Sequence, residues 1–186
     1  MEGQKLVIII NGKGGCGKDA ICDILARHYP VTNVSTITKV KEAARLIFGW
    51  NNGKEDRDRK FLSDLKDLWI EYNDGPFKYA YEEYKRFRDK SSTTYNKIMV
   101  IHVIEPKEIE KLCDAIRNDD SDIPCKTLLI TSPRTDNHHY GNHADDVVTD
   151  YFYDFIYRNN TSLEGLDKYF MNFFYTCIAP TWQESH

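Results

Sequence analysis

The chain has 186 residues, of which 41% are hydrophobic and 29% charged, and its formal net charge is −4. A chain of this length can build a hydrophobic core without disulfides or a structural metal, and its composition excludes a disordered or fibrous protein. The acidic balance argues against a general nucleic-acid-binding protein, and no apolar run near the start approaches the roughly 20 residues of a membrane span. We therefore expect one cytoplasmic domain that binds neither nucleic acid nor membrane.

The first 30 residues predict a strand, a glycine-rich loop and a helix, in that order. Residues 5–10 form an unbroken run of mostly β-branched residues, which predicts a strand buried on both faces, as in the middle of a parallel sheet. From Lys18 onwards apolar residues recur at helical spacing, and the pattern stops at Pro30.

The next elements are a short strand and a group of helices. Residues 34–37 predict the strand, and the apolar residues of 40–47 predict a helix that ends near Gly49. One apolar stripe on a charged segment predicts a helix over 56–72, and an aromatic-rich segment after Asp74-Gly-Pro predicts another.

The remaining chain continues the alternation of strands and helices. It predicts strands at 98–103, 127–130 and 151–157, and helices at 106–116 and 163–174, with a long polar loop at 131–149. Buried strands alternating with helices predict an α/β fold with three layers (α/β/α) and a mostly parallel central sheet. Ligands of such sheets bind at the carboxyl ends of the strands.

The loop after the first strand fits the phosphate-binding pattern G-x-x-x-x-G-K. Its residues are Gly12, Lys13, Gly14, Gly15, Cys16, Gly17 and Lys18. In this pattern backbone N–H groups surround phosphate oxygens, glycines allow the close approach, and the lysine reaches the terminal phosphates. The dipole of the helix that begins near Lys18 adds to the anion site.

Asp19 follows the lysine, where the pattern usually has Ser or Thr to bind magnesium. A carboxylate can bind the metal directly or through water, because magnesium prefers oxygen ligands. The alternative is an acidic residue in the first turn, favoured by the helix dipole. Cys16 is expected to be a small loop residue and not a nucleophile, because phosphoryl transfer requires positioning and charge.

Other candidate residues are basic or lie at strand ends. Between Lys39 and Lys66 there are eight basic and five acidic residues, which favours an anionic substrate. Arg134, in the polar loop, could close over reacting phosphates or could simply be exposed. Glu105 follows a strand, where it could hold a metal-bound water or a substrate hydroxyl, or cap the next helix.

The cysteines and histidines give no metal-binding pattern. The five cysteines contain no C-x-x-C pair, so we expect reduced thiols. Cys22, Cys113, Cys125 and Cys177 are expected to be small buried residues in or beside helices and strands. The loop histidines His138, His139 and His143 lack a cysteine partner and predict no transition-metal site.

With the Gly-Lys-Asp variant in place, the sequence resembles the P-loop kinases that phosphorylate small phosphorylated metabolites, especially the deoxynucleoside monophosphate kinase-like group. The segments that carry the resemblance are residues 11–19, 56–68 and 102–112, and the stretch 150–156 followed by Asn159, Asn160 and Thr161. Phosphomevalonate kinase of the animal type shares the Gly-Lys-Asp feature and is the rival within the same fold.

The resemblance implies a single kinase-like domain over 1–186, with an acceptor-binding helical region at 38–90 and a lid-like loop at 131–149. It implies ATP and Mg²⁺ at the loop, with Asp19 as the metal ligand, Gly12 to Ala20 around the ATP phosphates, and Lys18 neutralising charge during transfer. Acceptor-binding residues would be Lys39, Arg45, Arg57 and Arg59, with Glu105 at the strand end. Arg134 would be the lid arginine. Ile104 stands where the family often has arginine before Glu-Pro.

The sequence therefore predicts transfer of the γ-phosphate of Mg-ATP to a small phosphorylated acceptor, a nucleoside or deoxynucleoside monophosphate, by an enzyme that could form a homodimer. Three alternatives stay open at this stage. They are a phosphomevalonate-like acceptor, a nucleotide-binding regulatory protein with little turnover, and a nucleoside triphosphate hydrolase. A hydrolase requires a second acidic residue after an apolar strand, and none is clear.

Overall fold

A computed structural model describes residues 3–53, 55–90, 95–119, 122–136 and 148–182. The strands are β1 (Lys5–Asn11), β2 (Val31–Ser35), β3 (Lys97–His102), β4 (Cys125–Thr131) and β5 (Phe155–Arg158). The helices are α1 (Lys18–His28), α2 (Thr38–Phe48), α3 (Asp56–Asn73), α4 (Gly75–Asp89), α5 (Pro106–Arg117) and α6 (Leu163–Phe173). A π-helical turn, Phe174–Ile178, and a 3₁₀ turn, Ala179–Trp182, follow α6.

The five strands form one parallel sheet in the order β2-β3-β1-β4-β5. β1 lies at the centre, with Ile9 paired to Ile101 of β3 on one side and to Thr127 of β4 on the other. The predicted α/β fold with a parallel sheet between two helical layers is confirmed. The glycine-rich loop therefore leaves the middle of the sheet's carboxyl edge.

The side chains of β1 alternate between two hydrophobic cores. Leu6, Ile8 and Ile10 pack with α1 and α6 on one face, whereas Val7 and Ile9 pack with α4 and α5 on the other. Because successive strand residues point to opposite faces, a strand covered by helices on both sides must be apolar at every position. This is the physical reason for the unbroken apolar run in the sequence.

The helices α2 and α3 share a smaller core of their own. Val40 and Ala44 of α2 pack against Leu62 of α3. Gly49, with φ of 66°, ends α2, and a reciprocal capping box between Glu55 and Asp58 begins α3. The predicted helices over 40–47 and 56–72 are confirmed, and the segment 38–90 is mostly helical.

Two predicted strands have different bounds in the structure. The second strand covers Val31–Ser35 instead of 34–37. The last strand covers Phe155–Arg158 instead of 151–157. Before it, the Asp154 carboxylate accepts hydrogen bonds from the backbone N–H and the hydroxyl of Thr127, at 2.7 and 2.9 Å. The Asp154 side chain thus accepts the Thr127 N–H, which a longer neighbouring strand would have bound instead. The alternation of aromatic residues at 151–157 did not reveal this interaction.

All five cysteines are free thiols. Cys22, Cys113 and Cys125 are buried as predicted, whereas Cys177 is only half-buried. Cys16, expected to be simply a small loop residue, is fully buried and belongs to the core on the α1 side of the sheet. Among the described helices, none combines the length and apolar character needed to cross a bilayer.

The hydrophobic core between the sheet and α6 is expected to contribute much of the free energy of unfolding. Phe170 is fully buried in that core, whereas Phe152 is fully exposed. We expect Phe170→Ala to lower the free energy of unfolding by about 3–5 kcal/mol, because it removes buried apolar surface and leaves a cavity. Phe152→Ala is the matched control and should change it by less than about 0.5 kcal/mol. Denaturant unfolding measures both, and equal losses would contradict the packing described here.

Candidate functional site

The glycine-rich loop connects the central strand β1 to the first turn of α1. Gly17, with φ of 105°, is the residue before the helix, and no side chain in the described part of the chain caps that helix. The first N–H groups of a helix have no intrahelical partner, and they carry the positive end of the helix dipole. The first turn of α1 therefore has the N–H groups and the dipole end that the predicted anion site would use.

Two glycines of the loop are required by close packing. A Cβ at Gly12, where φ is 148°, would lie 2.4 Å from the Ile130 carbonyl oxygen and 2.7 Å from Cys16 Sγ. A Cβ at Gly17 would lie 2.4 Å from Asn159 Nδ2. Both positions also have φ values that side chains rarely adopt. The loop is thus pressed against β4 and against the segment after β5.

Asn11, the last residue of β1, holds the beginning of the loop. It is fully buried, and its Oδ1 accepts a hydrogen bond from the Gly12 N–H at 2.7 Å. Its Nδ2 donates to the Ile104 carbonyl at 2.8 Å and to the Tyr153 hydroxyl at 2.7 Å. Tyr153 in turn donates to the Val148 carbonyl at 2.7 Å. Asn11 therefore connects the loop to segments that follow β3 and precede β5.

Asn159, directly after β5, holds the end of the loop. Its Nδ2 donates to the Cys16 carbonyl at 2.9 Å, and its backbone N–H donates to the Thr131 carbonyl at 2.7 Å. Sequence reasoning quoted Asn11 and Asn159 within segments of the resemblance but gave neither a role. The signal for both was a polar amide near the end of a predicted strand: Asn11 follows the strand at 5–10 directly, and Asn159 comes two residues after the strand at 151–157.

Lys18 and Asp19 lie in the first turn of α1. The Lys18 ammonium donates to the carbonyl of Gly12 and, at 3.0 Å, to that of Lys13, so it extends back over the loop. Asp19 is exposed at the same end of the helix. A cation over the loop and an accessible carboxylate beside it are the groups that a phosphate chain with its metal would require.

His102 ends β3, next to the end of β1. Its Nε2 lies 3.4 Å from Cys22 Sγ. Burial, followed by the charge of Lys18, lowers the pKa of His102 to about 4. The imidazole is therefore neutral at neutral pH, and it adds no charge to this edge of the sheet. Sequence reasoning did not single it out.

A buried ion cluster lies where β3 leads into α5. Lys66 of α3 is 4% exposed. It donates to Glu105, and its Nζ lies 2.7 Å from Glu108 Oε2. The cluster joins the helical region to the carboxyl edge of the sheet. Glu105, predicted as a strand-end acid, is thus the ion-pair partner of Lys66, and its side chain does not cap α5.

The protonation states of Lys66, Glu105 and Glu108 depend on one another. Burial opposes the charge of Lys66, but Glu108 and Glu105 outweigh it and raise the Lys66 pKa. Burial also acts against ionised Glu105, but hydrogen bonding to Glu108 and the charge of Lys66 lower the Glu105 pKa overall. Burial, then the hydrogen bond to Glu105, raises the Glu108 pKa to about 7. Glu108 therefore keeps a proton that it shares with Glu105 up to neutral pH.

The predicted acceptor-binding residues are distributed over α2 and α3. Lys39 lies in the first turn of α2, where its ammonium is 2.7 Å from Glu42. Arg45 donates to Asn52 at 2.8 Å, and its guanidinium lies 5.3 Å from the ring of Trp50. Arg57 and Arg59 are both in the first turn of α3 but two residues apart, so they point to different sides.

A cavity of about 690 Å³ lies between the end of α2 and the start of α3. Its lining includes three aromatic rings and several polar groups, among them Phe48, Trp50, Asn51, Arg57, Asp58 and Phe61. With the described residues, Arg57 makes no ion pair. The structure thus brings Arg57 and, through Trp50, Arg45 to one cavity. Lys39 and Arg59 are not among the residues that line it.

Arg134 lies just beyond the end of β4. It is exposed, and its Nε donates to Ser132 Oγ at 3.3 Å. A second cavity, of about 230 Å³, lies between the glycine loop and this segment, and Lys13, Thr131 and Asp136 are among its lining residues. Most of the lid-like loop, residues 137–147 with His138, His139 and His143, lies outside the described residues. Within the described part of the chain no three His, Cys, Asp or Glu side chains form a metal-binding cluster.

The fold and the loop define the class of the molecule: an α/β protein with a parallel sheet and a glycine-rich loop between its central strand and its first helix. No protein-family model matches the chain, and no curated protein is significantly similar to it.

Several solved structures resemble the fold. An APS kinase from Mycobacterium tuberculosis, in complex with AMPPNP and APS, is 13% identical with a TM-score of 0.40 and coverage of 91% of this chain and 97% of that one. Shikimate kinase from Aquifex aeolicus is 12% identical, with a TM-score of 0.43 and coverage of 92% and 97%. A sugar kinase from Janibacter sp. is 12% identical, with a TM-score of 0.39 and coverage of 96% and 98%. Identities and TM-scores this low carry no functional argument.

The shared proton of Glu108 predicts a pH-dependent stability. The folded state binds this proton between pH 4.5, the ordinary pKa, and about 7, where the unfolded state has lost it. The contribution of Glu108 to the free energy of unfolding should therefore fall as the pH rises through this window, by about 3 kcal/mol at most. His102, whose pKa is lowered to about 4, contributes in the opposite direction up to its ordinary pKa of 6.5, because only the unfolded state is protonated there. Denaturant unfolding at several pH values isolates the Glu108 contribution, because in Glu108→Gln the free energy of unfolding should rise more steeply with pH over this window than in the native protein.

Glu110→Gln is the matched control, because Glu110 is an exposed residue on the same helix. This variant should keep the slope of the native protein. An unchanged slope in Glu108→Gln would show that Glu108 does not hold the proton.

Proposed function

We propose that the chain is an ATP-dependent phosphotransferase that moves the γ-phosphate of Mg-ATP to a small phosphorylated acceptor, a nucleoside or deoxynucleoside monophosphate. The observation that carries this proposal is the loop between β1 and α1, in which Gly12 and Gly17 cannot accept a side chain and Lys18 lies over the backbone. This combination of uncapped helix N–H groups, close backbone and one lysine suits a chain of phosphates.

The residues of the loop have separate roles in this proposal. The segment from Gly12 to Ala20 surrounds the ATP phosphates and binds them through its N–H groups other than that of Gly12, which Asn11 holds. The Lys18 ammonium exchanges its carbonyl partners for phosphate oxygens. Asp19 is the residue that would hold Mg²⁺. The metal, when bound, supplies positive charge to the phosphate oxygens.

The chemistry proposed is a direct in-line transfer without a covalent intermediate. Burial raises the pKa of the Cys16 thiol, so this cysteine stays protonated and is a poor nucleophile. Phosphoryl transfer depends mainly on positioning and on charge stabilisation. Lys18 supplies that charge from the loop, and Arg134, at the end of β4, is the proposed source from the lid side.

The cavity between α2 and α3 supports a nucleotide as the acceptor. Aromatic rings from Phe48, Trp50 and Phe61 offer surfaces on which a base can stack. Arg57 offers a guanidinium for an anion. A short aliphatic phosphate would contact the Arg57 guanidinium but would not stack on the aromatic rings. We therefore propose that the region 38–90 binds the acceptor.

The first test measures ADP release from Mg-ATP with a panel of ribonucleoside and deoxyribonucleoside monophosphates and mevalonate 5-phosphate. We expect turnover with a nucleoside monophosphate, and Lys18→Ala should lower kcat by about 100-fold or more, because it removes a charge that stabilises the transition state. Lys168→Ala, an exposed lysine on α6, is the matched control and should leave the rate unchanged.

The same assay separates the alternatives. ADP release without an acceptor would favour a hydrolase, and release only with mevalonate 5-phosphate would replace the proposed acceptor. Binding of ATP with no release of ADP under any condition would contradict the kinase and favour a regulatory nucleotide-binding protein.

A second variant tests the acceptor cavity. Arg57→Ala should raise the KM for the nucleoside monophosphate about tenfold, because one charge-assisted contact is lost. The KM for ATP should stay the same. Lys60→Ala, on the same helix but paired with Asp64 at 2.8 Å, should change neither KM. Equal changes in both substrates' KM values would show that the cavity is not specific to the acceptor.

A further inference from the structure

We propose that Asn159 is a positioning residue for the nucleotide: it fixes the peptide group between Cys16 and Gly17 so that the end of the loop binds phosphate. This inference rests on the proposed function, because it assigns Asn159 to the same ATP site. It acts through the loop backbone and does not require Asn159 to touch the nucleotide.

Burial and two hydrogen bonds, one from the backbone and one from the side chain, fix Asn159. Its backbone N–H donates to Thr131 at 2.7 Å and so continues the pairing of β4 with β5. The residue is 1% exposed. Its Nδ2 donates to the Cys16 carbonyl at 2.9 Å. The amide is thus anchored to the sheet on one side and bound to the loop on the other.

The bond to Cys16 fixes the orientation of the next N–H group. The peptide group is planar and trans, so its carbonyl and its N–H point in opposite directions. When the Cys16 carbonyl points at Asn159, the Gly17 N–H must point away from Asn159. A carbonyl freed from this bond could turn towards the anion site, where its partial negative charge would repel phosphate.

Gly17 and Asn159 also fit each other sterically. The Asn159 amide occupies the place where a side chain at residue 17 would lie, with Nδ2 2.4 Å from an added Cβ. The glycine of the G-x-x-x-x-G-K pattern is therefore matched here by one particular side chain from the segment after β5. Removing that side chain would leave space into which the loop could move.

The second polar atom of the amide supports a role beyond stability. Asn159 Oδ1 is buried and has no hydrogen-bond partner among the described residues. A buried acceptor without a partner carries a desolvation cost. Of the two polar atoms of the amide, only the Nδ2 that faces Cys16 makes a hydrogen bond with the described part of the chain. The Oδ1 atom contributes no stabilising contact there, so the residue is an amide for the sake of its donor.

The test compares Asn159→Asp and Asn159→Ala with the same changes at Asn160, the exposed neighbouring asparagine. Calorimetric titration with Mg-ATP should show a Kd raised about tenfold or more in both Asn159 variants. The larger effect is expected for Asn159→Asp, which places an acceptor near the Cys16 carbonyl. The Asn160 variants should stay within about twofold of the native protein. Asn159→Ser keeps a donor and should be intermediate, and it serves as the second variant if Asn159→Ala does not fold.

Steady-state kinetics provide a readout that a purely structural role would not change. We expect the KM for ATP to rise several times more than the KM for the acceptor in the Asn159 variants. Native-like ATP affinity in these variants, or equal rises in both KM values, would overturn the positioning role and leave the proposed function intact. A native protein that does not bind Mg-ATP would overturn both.

Discussion

The packing of the glycine loop between two buried asparagines is the constraint on which the site depends. Asn11 binds the first peptide of the loop, and Asn159 binds the carbonyl near its end. Because both side chains are anchored to strands of one parallel sheet, the loop takes its shape from the sheet. Glycine is needed where these neighbours come closest. The start of α1 can then present its N–H groups to an anion.

Charge at the carboxyl edge of the sheet is arranged in two separate groups. Lys18 lies over the loop, and the neutral His102 beside it adds no competing charge. Lys66 is satisfied by Glu105 and Glu108, so its ammonium holds α3 to the sheet. A buried lysine of this kind is tolerated because ionised Glu105 balances its charge and Glu108 adds a second oxygen contact, and removing Glu105 would leave a buried charge without compensation.

Much of the fold followed from the sequence, and the exceptions have identifiable causes. The helices and the strands β1, β3 and β4 were predicted, because apolar periodicity reflects which faces are covered. The strand at 151–157 was wrong in its bounds, since Asp154 pairs with Thr127 across the sheet. The basic residues of α2 and α3 were predicted to bind the acceptor together, but the sequence did not predict which of them lie near one cavity. Only Arg57 and, through Trp50, Arg45 come to the cavity.

The sequence by itself determined the order of strand, glycine loop and helix, and with it the place of Lys18 at the start of α1. These are local properties, since they depend on residues that are neighbours along the chain. Tertiary structure alone decided the roles of Asn159, Tyr153 and Lys66. Asn159 and Cys16 are 143 positions apart, and Lys66 and Glu105 are 39 apart. Such contacts depend on which strands are adjacent in the sheet, and spacing along the sequence does not encode that order.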